Sequence, residues 1–508
     1  MGHHLLKYLV MVVLVGGFGC FSHVQCAQET RTLVEQARAA AKTGNYKRLI
    51  AIYDEIIRRH PRSAAAYSDR GFAYTQTANY DKAIEDLRKA THLGPPRSVY
   101  YTNLATAYDG KAEATKKIKY EYKAIASCDK AIAINPKDPV AYSFRGLAGL
   151  VVAVSKRNPD KYDQVIADLT EAIRLQSRNF LAYINRSIGY RYQGRIPNRS
   201  TNWNQVMADC DRAVKLNPAS AYAYFNRGSC YGFKGDRTHS KTDFNKAISD
   251  LTRAIKREPK YELAYLRRAR AYLCEGKCDQ AMVDVNKAIH LTPKDADTYY
   301  MRGVAYNYQH RYAKAIVEFD KAIQLGPPKA FYFFDRGHAH AYANEYDKAD
   351  ADFNKAIRLN SKIALFYFDR AYVRAVQRRY GKAVTDLKRA VKLEPQSAER
   401  NNDLAWMLAT CPEAKIRDGT KAVQYAIKAC QLAEWKDPYV IDTLAASYAA
   451  AGDFDQAIKW EKHFIRTPGE AAKYTKQARL RLALYRSHKA FIEEKMDAPR
   501  PQLWATSD

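Results

Sequence analysis

One column of alanines constrains this chain more than any other feature. Ala90, Ala131, Ala172, Ala213, Ala254, Ala288, Ala322, Ala356, Ala390 and Ala429 follow one another at intervals of 41 residues four times, 34 four times and 39 once. A period of that length marks one supersecondary unit copied in tandem, each copy burying its apolar face on its neighbours. Under that scheme 508 residues need no series of separate globular cores. The stretch from Tyr299 to Pro327 displays the unit. Two apolar-periodic segments of about a dozen residues flank a polar break at Gln309 to Arg311, which predicts an antiparallel helix pair. Gly303 and Tyr306 fall on the first helix, while Ala315, Phe319 and Ala322, spaced by four and three, share one face of the second. Small residues let two helix backbones approach, and the large ring fills the seam. Pro327 follows where it cannot prolong a helix.

Tyr299, Gly303, Tyr306, Ala315, Phe319, Ala322 and Pro327 resemble the tetratricopeptide repeat, a helical hairpin of about 34 residues. The resemblance implies an all-α chain, a right-handed α-solenoid (superhelix) of about twelve helix-turn-helix units. Such repeats host many functions, so the fold is better determined than the function.

The units divide as follows. Residues 1–27 read as a signal peptide, with Lys7 ahead of the uncharged, mostly apolar run Tyr8 to Phe21; an uncleaved anchor or a lipidated Cys20 is the alternative. Residues 28–63 form a degenerate first unit, turning at Gly44-Asn45-Tyr46 with Ile50, Tyr53 and Ile57 as its apolar face. Residues 64–97 hold a plain repeat, 98–261 four units of 41 residues, 262–397 four of 34, 398–436 one with a longer turn around Cys411-Pro412, and 437–469 one more. A single capping helix is expected within 470–496, where Glu470 to Phe491 is amphipathic, and a disordered tail over 497–508. No later segment suits a membrane span, so the mature chain is expected to be exported, periplasmic or envelope-associated.

The four 41-residue units carry seven extra residues each between their helices. Equivalent insertions project from one edge of a stacked array, which predicts a basic rim including Lys116, Lys117, Lys119, Arg157, Arg195, Arg199, Lys234 and Arg237. Together with a formal charge of +29, the rim would suit an anionic polymer or membrane surface; helix extensions with solvated polar faces are the plainer reading.

A second pattern runs through the seam. Arg70, Arg145, Arg186, Arg227, Arg268, Arg302, Arg336 and Arg370 stand just before the glycine position, and Asp86, Asp168, Asp209, Asp250, Asp284, Glu318, Asp352 and Asp386 recur on the second helices. The columns lapse together at Leu104 and Ser127, which predicts bidentate pairs. Solvent-facing acids with arginines capping carbonyls are the competing explanation.

By the resemblance, first-helix positions one and five residues after the opening aromatic line a concave groove. Here they include Phe225, Tyr300, Val304, Phe334, His338, Phe368 and Tyr372, with Tyr308, Phe331 and Tyr342 adding rings. Rings give contact area at low entropic cost, so this groove is expected to hold an extended peptide or a partner helix. Ordinary core packing of some of these rings is the rival reading. The Lys and Asn set with which some relatives clamp a C-terminal carboxylate is missing, which disfavours that ligand.

Nothing points to catalysis. The chain has no glycine-rich phosphate loop, HExxH or GxSxG, and its twelve histidines are scattered. His338 and His340, two apart on a helix, face different ways. Nine cysteines include Cys20 and Cys26 in the export segment. Cys128 and Cys210 occupy the Phe319 column as small hydrophobes, and Cys274 and Cys278 form a CxxxC for which a local disulfide is more plausible than zinc. The expected function is a non-enzymatic protein-binding scaffold or adaptor of the cell envelope, with no cofactor, metal or nucleic acid.

Overall fold

The computed structural model describes residues 28–156, 158, 160–194, 200–466 and 475–493. The expected signal peptide and the expected disordered tail lie outside that range, as do Arg157, Arg195 and Arg199 of the expected basic rim. Every regular element among the described residues is helical, and the helices pair into twelve consecutive hairpins. The chain divides into two compact units at Ala264–Tyr265.

The first unit contains α1 (Gln28–Lys42) with α2 (Tyr46–Arg59), α3 (Ala64–Gln76) with α4 (Tyr80–Leu93), α5 (Ser98–Thr115) with α6 (Lys119–Ile134), α7 (Pro139–Lys156) with α8 (Lys161–Leu175), α9 (Phe180–Gln193) with α10 (Trp203–Leu216), and α11 (Ala221–Thr238) with α12 (Lys241–Arg257). The second contains α13 (Glu262–Cys274), in which the division falls, with α14 (Cys278–Leu291), α15 (Ala296–Tyr308) with α16 (Tyr312–Leu325), α17 (Ala330–Tyr342) with α18 (Tyr346–Leu359), and α19 (Ala364–Val376) with α20 (Tyr380–Leu393). Then come α21 (Ala398–Thr410) with α22 (Gly419–Leu432), α23 (Pro438–Ala450) with α24 (Phe454–Arg466), and the single α25 (Thr475–Arg486).

The alanine column explains why the hairpins close. All ten of its members are 0% exposed, since any larger side chain there would hold the two helices of a pair apart. The facing glycines make room for the large apolar side chain across the seam, leucine or phenylalanine: a Cβ on Gly71 would stand 2.6 Å from Leu87 and one on Gly146 2.7 Å from Leu169. A Cβ built on Gly303 would stand 2.6 Å from the Phe319 ring, and one on Gly337 2.9 Å from Phe353. Opposite Val285 and Leu387 the glycine position holds buried Ala269 and Ala371.

The turn inside each short hairpin needs one left-handed residue. Gly44, Gly276 and Gly452 supply it at φ +66°, +72° and +86°, but Ala78, His310, Asn344 and Arg378 occupy the same place at φ near +60°. A side chain there costs about 1–2 kcal/mol relative to glycine. The fold tolerates this cost because the flanking helices leave the turn no other path.

Three of the four insertions are not projecting loops. In three of the four units the first helix lengthens to 18 residues, against 13 in the plain hairpins, so Lys111, Lys234 and Arg237 lie within helices. The expected rim of loops is thereby corrected. Five of the seven extra residues extend an existing helix at no nucleation cost, whereas a loop would order backbone without hydrogen bonds. Lys116, Lys117, Lys119 and Arg237 are exposed. Lys234 instead turns to Asp243 at 3.2 Å.

The C-terminal helix is also shorter than its sequence suggests. It ends at Arg486 rather than near Phe491, because His488 adopts φ +55° and the Lys489 N–H bonds back to the Leu484 carbonyl at 2.9 Å. That left-handed ending reverses the chain. Among the described residues no helix is long and apolar enough to cross a membrane.

Candidate functional site

The charged seam fixes how successive hairpins meet. Arg70 Nε and Nη2 donate to both Asp86 oxygens at 2.7 and 2.8 Å, Arg336 to Asp352 at 2.7 and 2.6 Å, and Arg370 to Asp386 at 2.9 and 2.5 Å. The same fork joins Arg145 to Asp168, Arg186 to Asp209, Arg227 to Asp250 and Arg268 to Asp284. Arg302 departs from this pattern. It reaches Glu318 through Nη2 alone at 2.9 Å and leaves Nε without a partner. Glutamate is one methylene longer than the aspartate of the other units, so its carboxylate overshoots the fork. Where the columns lapse, Leu104 and Ser127 are both buried, and the serine hydroxyl returns to the Lys123 carbonyl at 2.8 Å.

Five of the seven forks have a further carboxylate or amide acceptor that the sequence reading did not identify. Arg70 Nη1 donates to Asp54 at 2.7 Å, Arg145 to Asp129 at 2.8 Å, Arg227 to Asp211 at 2.8 Å, Arg336 to Asp320 at 2.5 Å and Arg370 to Asn354 at 2.5 Å. These acceptors lie on the second helix of the preceding hairpin. One guanidinium therefore ties two consecutive hairpins while it lies over the aromatic ring three residues earlier, as that of Arg336 does over Phe333 at 5.5 Å.

The first helices of the second unit carry the ring-rich positions. Tyr300 donates its hydroxyl to Asp335 Oδ2 at 2.5 Å, and His338 Nε2 lies 3.0 Å from Asp369 Oδ2. Asp335 is 5% exposed, and burial pushes its carboxyl up to about 6 against the opposing hydrogen bond from Tyr300. His340 turns the other way, to Glu345 at 2.5 Å.

The rings separate into two classes. Phe334 is 2% exposed, packed on Phe366 at 4.7 Å and Phe353 at 5.6 Å; Phe368 is 7% exposed beneath the Arg400 guanidinium at 4.1 Å. These two are core, a correction to their reading as free groove rings: the neighbouring hairpins supply the covering groups. Tyr300, Val304, Tyr308, Phe331, His338, Tyr342 and Tyr372 are half-buried and keep one side open. Tyr342 stacks on Tyr312 at 5.0 Å, which holds its ring in place. Phe225 belongs to the first unit, half-buried against Tyr261 at 4.7 Å. Trp406 was missed because asparagine, Asn401, replaces the opening aromatic of its unit; counting five residues on reaches it, half-buried on α21.

An open depression of about 660 Å³ in the first unit, lined by Pro61, Tyr67, Asp81, Arg88 and His92 among others, contains none of the sequence-selected residues. Its lining mixes cations and carboxylates with no convergent set. No disulfide joins any of the seven described cysteines, Cys274 and Cys278 included. Cys128 and Cys210 are 0% exposed, as small core residues. Among the described residues no three His, Cys, Asp or Glu side chains are placed to hold a metal ion.

The fold and its sites can be set beside known proteins. Two family models described as tetratricopeptide repeat match this chain, one over residues 34–98 and 334–398, the other over 221–261 and 296–327. Tetratricopeptide repeat protein 28 of Homo sapiens and that of Mus musculus are each 30% identical over 125 residues, 24% of this chain; the chain spans 4% of the length of those relatives. Among solved structures, yeast Tom70 is similar at 17% identity and a TM-score of 0.43, covering 84% of this chain and 96% of that one. The human IFIT1 dimer with m7Gppp-AAAA gives 16% identity and 0.48, covering 80% and 90%. YrrB, described as a TPR protein with an unusual peptide-binding site, gives 19% and 0.30, covering 38% and 95%. The chain therefore carries tetratricopeptide repeats, matched over residues 34–98, 221–261, 296–327 and 334–398.

Proposed function

We propose that the second unit binds an extended peptide or a helix of another protein along its first helices, and that the chain serves as a scaffold or adaptor of the cell envelope. One observation carries this reading: Tyr308, Phe331, His338, Tyr342 and Tyr372 stay half-buried on successive first helices while their neighbours Phe334 and Phe368 are sealed. Pre-positioned rings with one open side offer apolar contact at little entropic cost, and the polar groups beside them, the Tyr300–Asp335 and His338–Asp369 pairs, set orientation. The envelope location rests on Lys7 and the apolar run Tyr8 to Phe21. The mode of action is binding rather than chemistry.

The test is capture from envelope extract by the full chain and by a Tyr342→Ala/Tyr372→Ala variant of unchanged helicity. Loss of specific bands with the variant supports the groove, and identical captures overturn it. A second reading, attraction of an anionic polymer or membrane surface, is favoured by the +29 charge and by exposed Lys116, Lys117, Lys119 and Arg237. Capture that falls steeply with ionic strength and survives the tyrosine changes would select it.

A further inference from the structure

Beyond its last helix the chain returns to a first helix of its own stack. After the reversal at His488, Ala490 to Glu493 follow in no regular secondary structure: Phe491 is half-buried, Ile492 is 43% exposed, and Glu493 is half-buried again. The Phe491 ring lies 6.1 Å from that of Trp406, and the Arg481 guanidinium stands 5.7 Å from the one and 6.0 Å from the other. The Trp406 indole N–H donates to Glu493 Oε2 at 2.8 Å, and the Glu493 backbone N–H donates to the Thr410 carbonyl at 2.9 Å.

Trp406 holds the register position that Val304, His338 and Tyr372 hold in earlier hairpins. The strap therefore occupies that face as a bound peptide would, with alternate side chains turned in, a main-chain bond to the helix end and a carboxylate on a fixed donor. Phe491 also packs on the cluster of Ala445, Ala449, Ala457 and Tyr485, but the capping helix α25 has its own anchor through Arg481 to Asp442 at 2.5 Å and to Glu461 at 3.2 Å.

We propose that Phe491–Glu493 is a resident ligand of the Trp406 site, and that the site accepts from a partner protein an extended segment with an aromatic residue followed two positions later by a carboxylate. Strap and partner exclude each other. This deepens the groove reading by naming one subsite and its ligand chemistry. The strap masks the site by mass action: if it is seated in nine molecules of ten, an external segment binds ten times more weakly than it would to the bare site.

The test uses the full chain and a labelled synthetic peptide of residues 487–493, its binding read by fluorescence anisotropy. Phe491→Ala/Glu493→Gln should bind the peptide at least tenfold more tightly than the natural chain, and adding Trp406→Phe, which keeps a ring and removes the donor, should reverse most of the gain. Ile492→Ala should leave the natural affinity unchanged. Equal affinity of the natural and strap-variant chains, or no binding to a strap variant with intact helicity and melting, overturns the proposal. If the double change unfolds the chain, Glu493→Gln alone decides by the same comparison. These outcomes are separate from the Tyr342/Tyr372 capture, which can fail or succeed independently.

Discussion

Replacing Arg336 with methionine probes the seam most sharply. The change keeps a flexible apolar stem and removes three donors. Two served Asp352 at 2.7 and 2.6 Å, and that aspartate is 6% exposed, so its charge is left buried with only the His340 ring, 3.9 Å away, beside it. Breaking a buried pair from one side costs about 3–5 kcal/mol. The third donor served Asp320, whose side chain is 45% exposed, and its loss adds no more than about 1 kcal/mol. For a unit of this size each kcal/mol lowers Tm by roughly 2–4 °C, so the single change should lower the melting of the second unit by about 10 °C.

Asp352→Leu alone should cost less, about 1–3 kcal/mol, because Arg336 is partly exposed and retains Asp320. The double change should lie within about 1.5 kcal/mol of the natural chain, a coupling of at least about 2 kcal/mol. Urea unfolding followed by circular dichroism measures all four corners of the cycle, and hydrogen exchange localises the loss to α17 and α18. Strict additivity of the two single changes would show that the fork is not an energetic unit, and the account of hairpin register would fall.

Three further predictions follow from other parts of the molecule. Glu318→Asp should restore a two-pronged contact for Arg302 and raise stability by about 1 kcal/mol in urea unfolding. Arg378→Gly should relieve a left-handed turn at φ +60° on an exposed side chain and stabilise by about 1 kcal/mol in the same assay. Asp335 has its folded pKa raised to about 6, so the fold favours its protonated form. Its contribution is present in full below about pH 4 and is lost as pH rises through about 6, a decline of about 3 kcal/mol. Asp335→Asn should remove that part of the slope, checked by comparing unfolding midpoints of both chains at pH 4.5 and 7.5.

Much of this was legible because repetition averages out local ambiguity. The alanine column, the small residue facing a large apolar one and the paired Arg and Asp columns each recur with fixed offsets, so one geometry satisfies them all. The second acceptor of four arginines was also written in the chain, as the Asp129, Asp211, Asp320 and Asn354 that stand two residues before the alanine column. It passed unread because such positions look like ordinary solvated helix surface. The burial of Phe334 and Phe368 was not legible, since their covering groups, Phe366 and Arg400, come from the next hairpins. Nor was the lengthening of α5, α7 and α11, where helix and loop share the same polar composition. The strap escaped because Ser487 to Glu493 has helical periodicity, and only the left-handed His488 and the pull of Trp406 break it.

The central claim is that partner contact runs through the half-buried rings of the first helices in the second unit. A photo-crosslinking amino acid placed at Tyr342, and in a separate chain at Val317, which is 64% exposed on a second helix, tests it directly. The account predicts a discrete adduct from position 342 in envelope extract and none from 317; equal adducts from both, or an adduct from 317 alone, would contradict it.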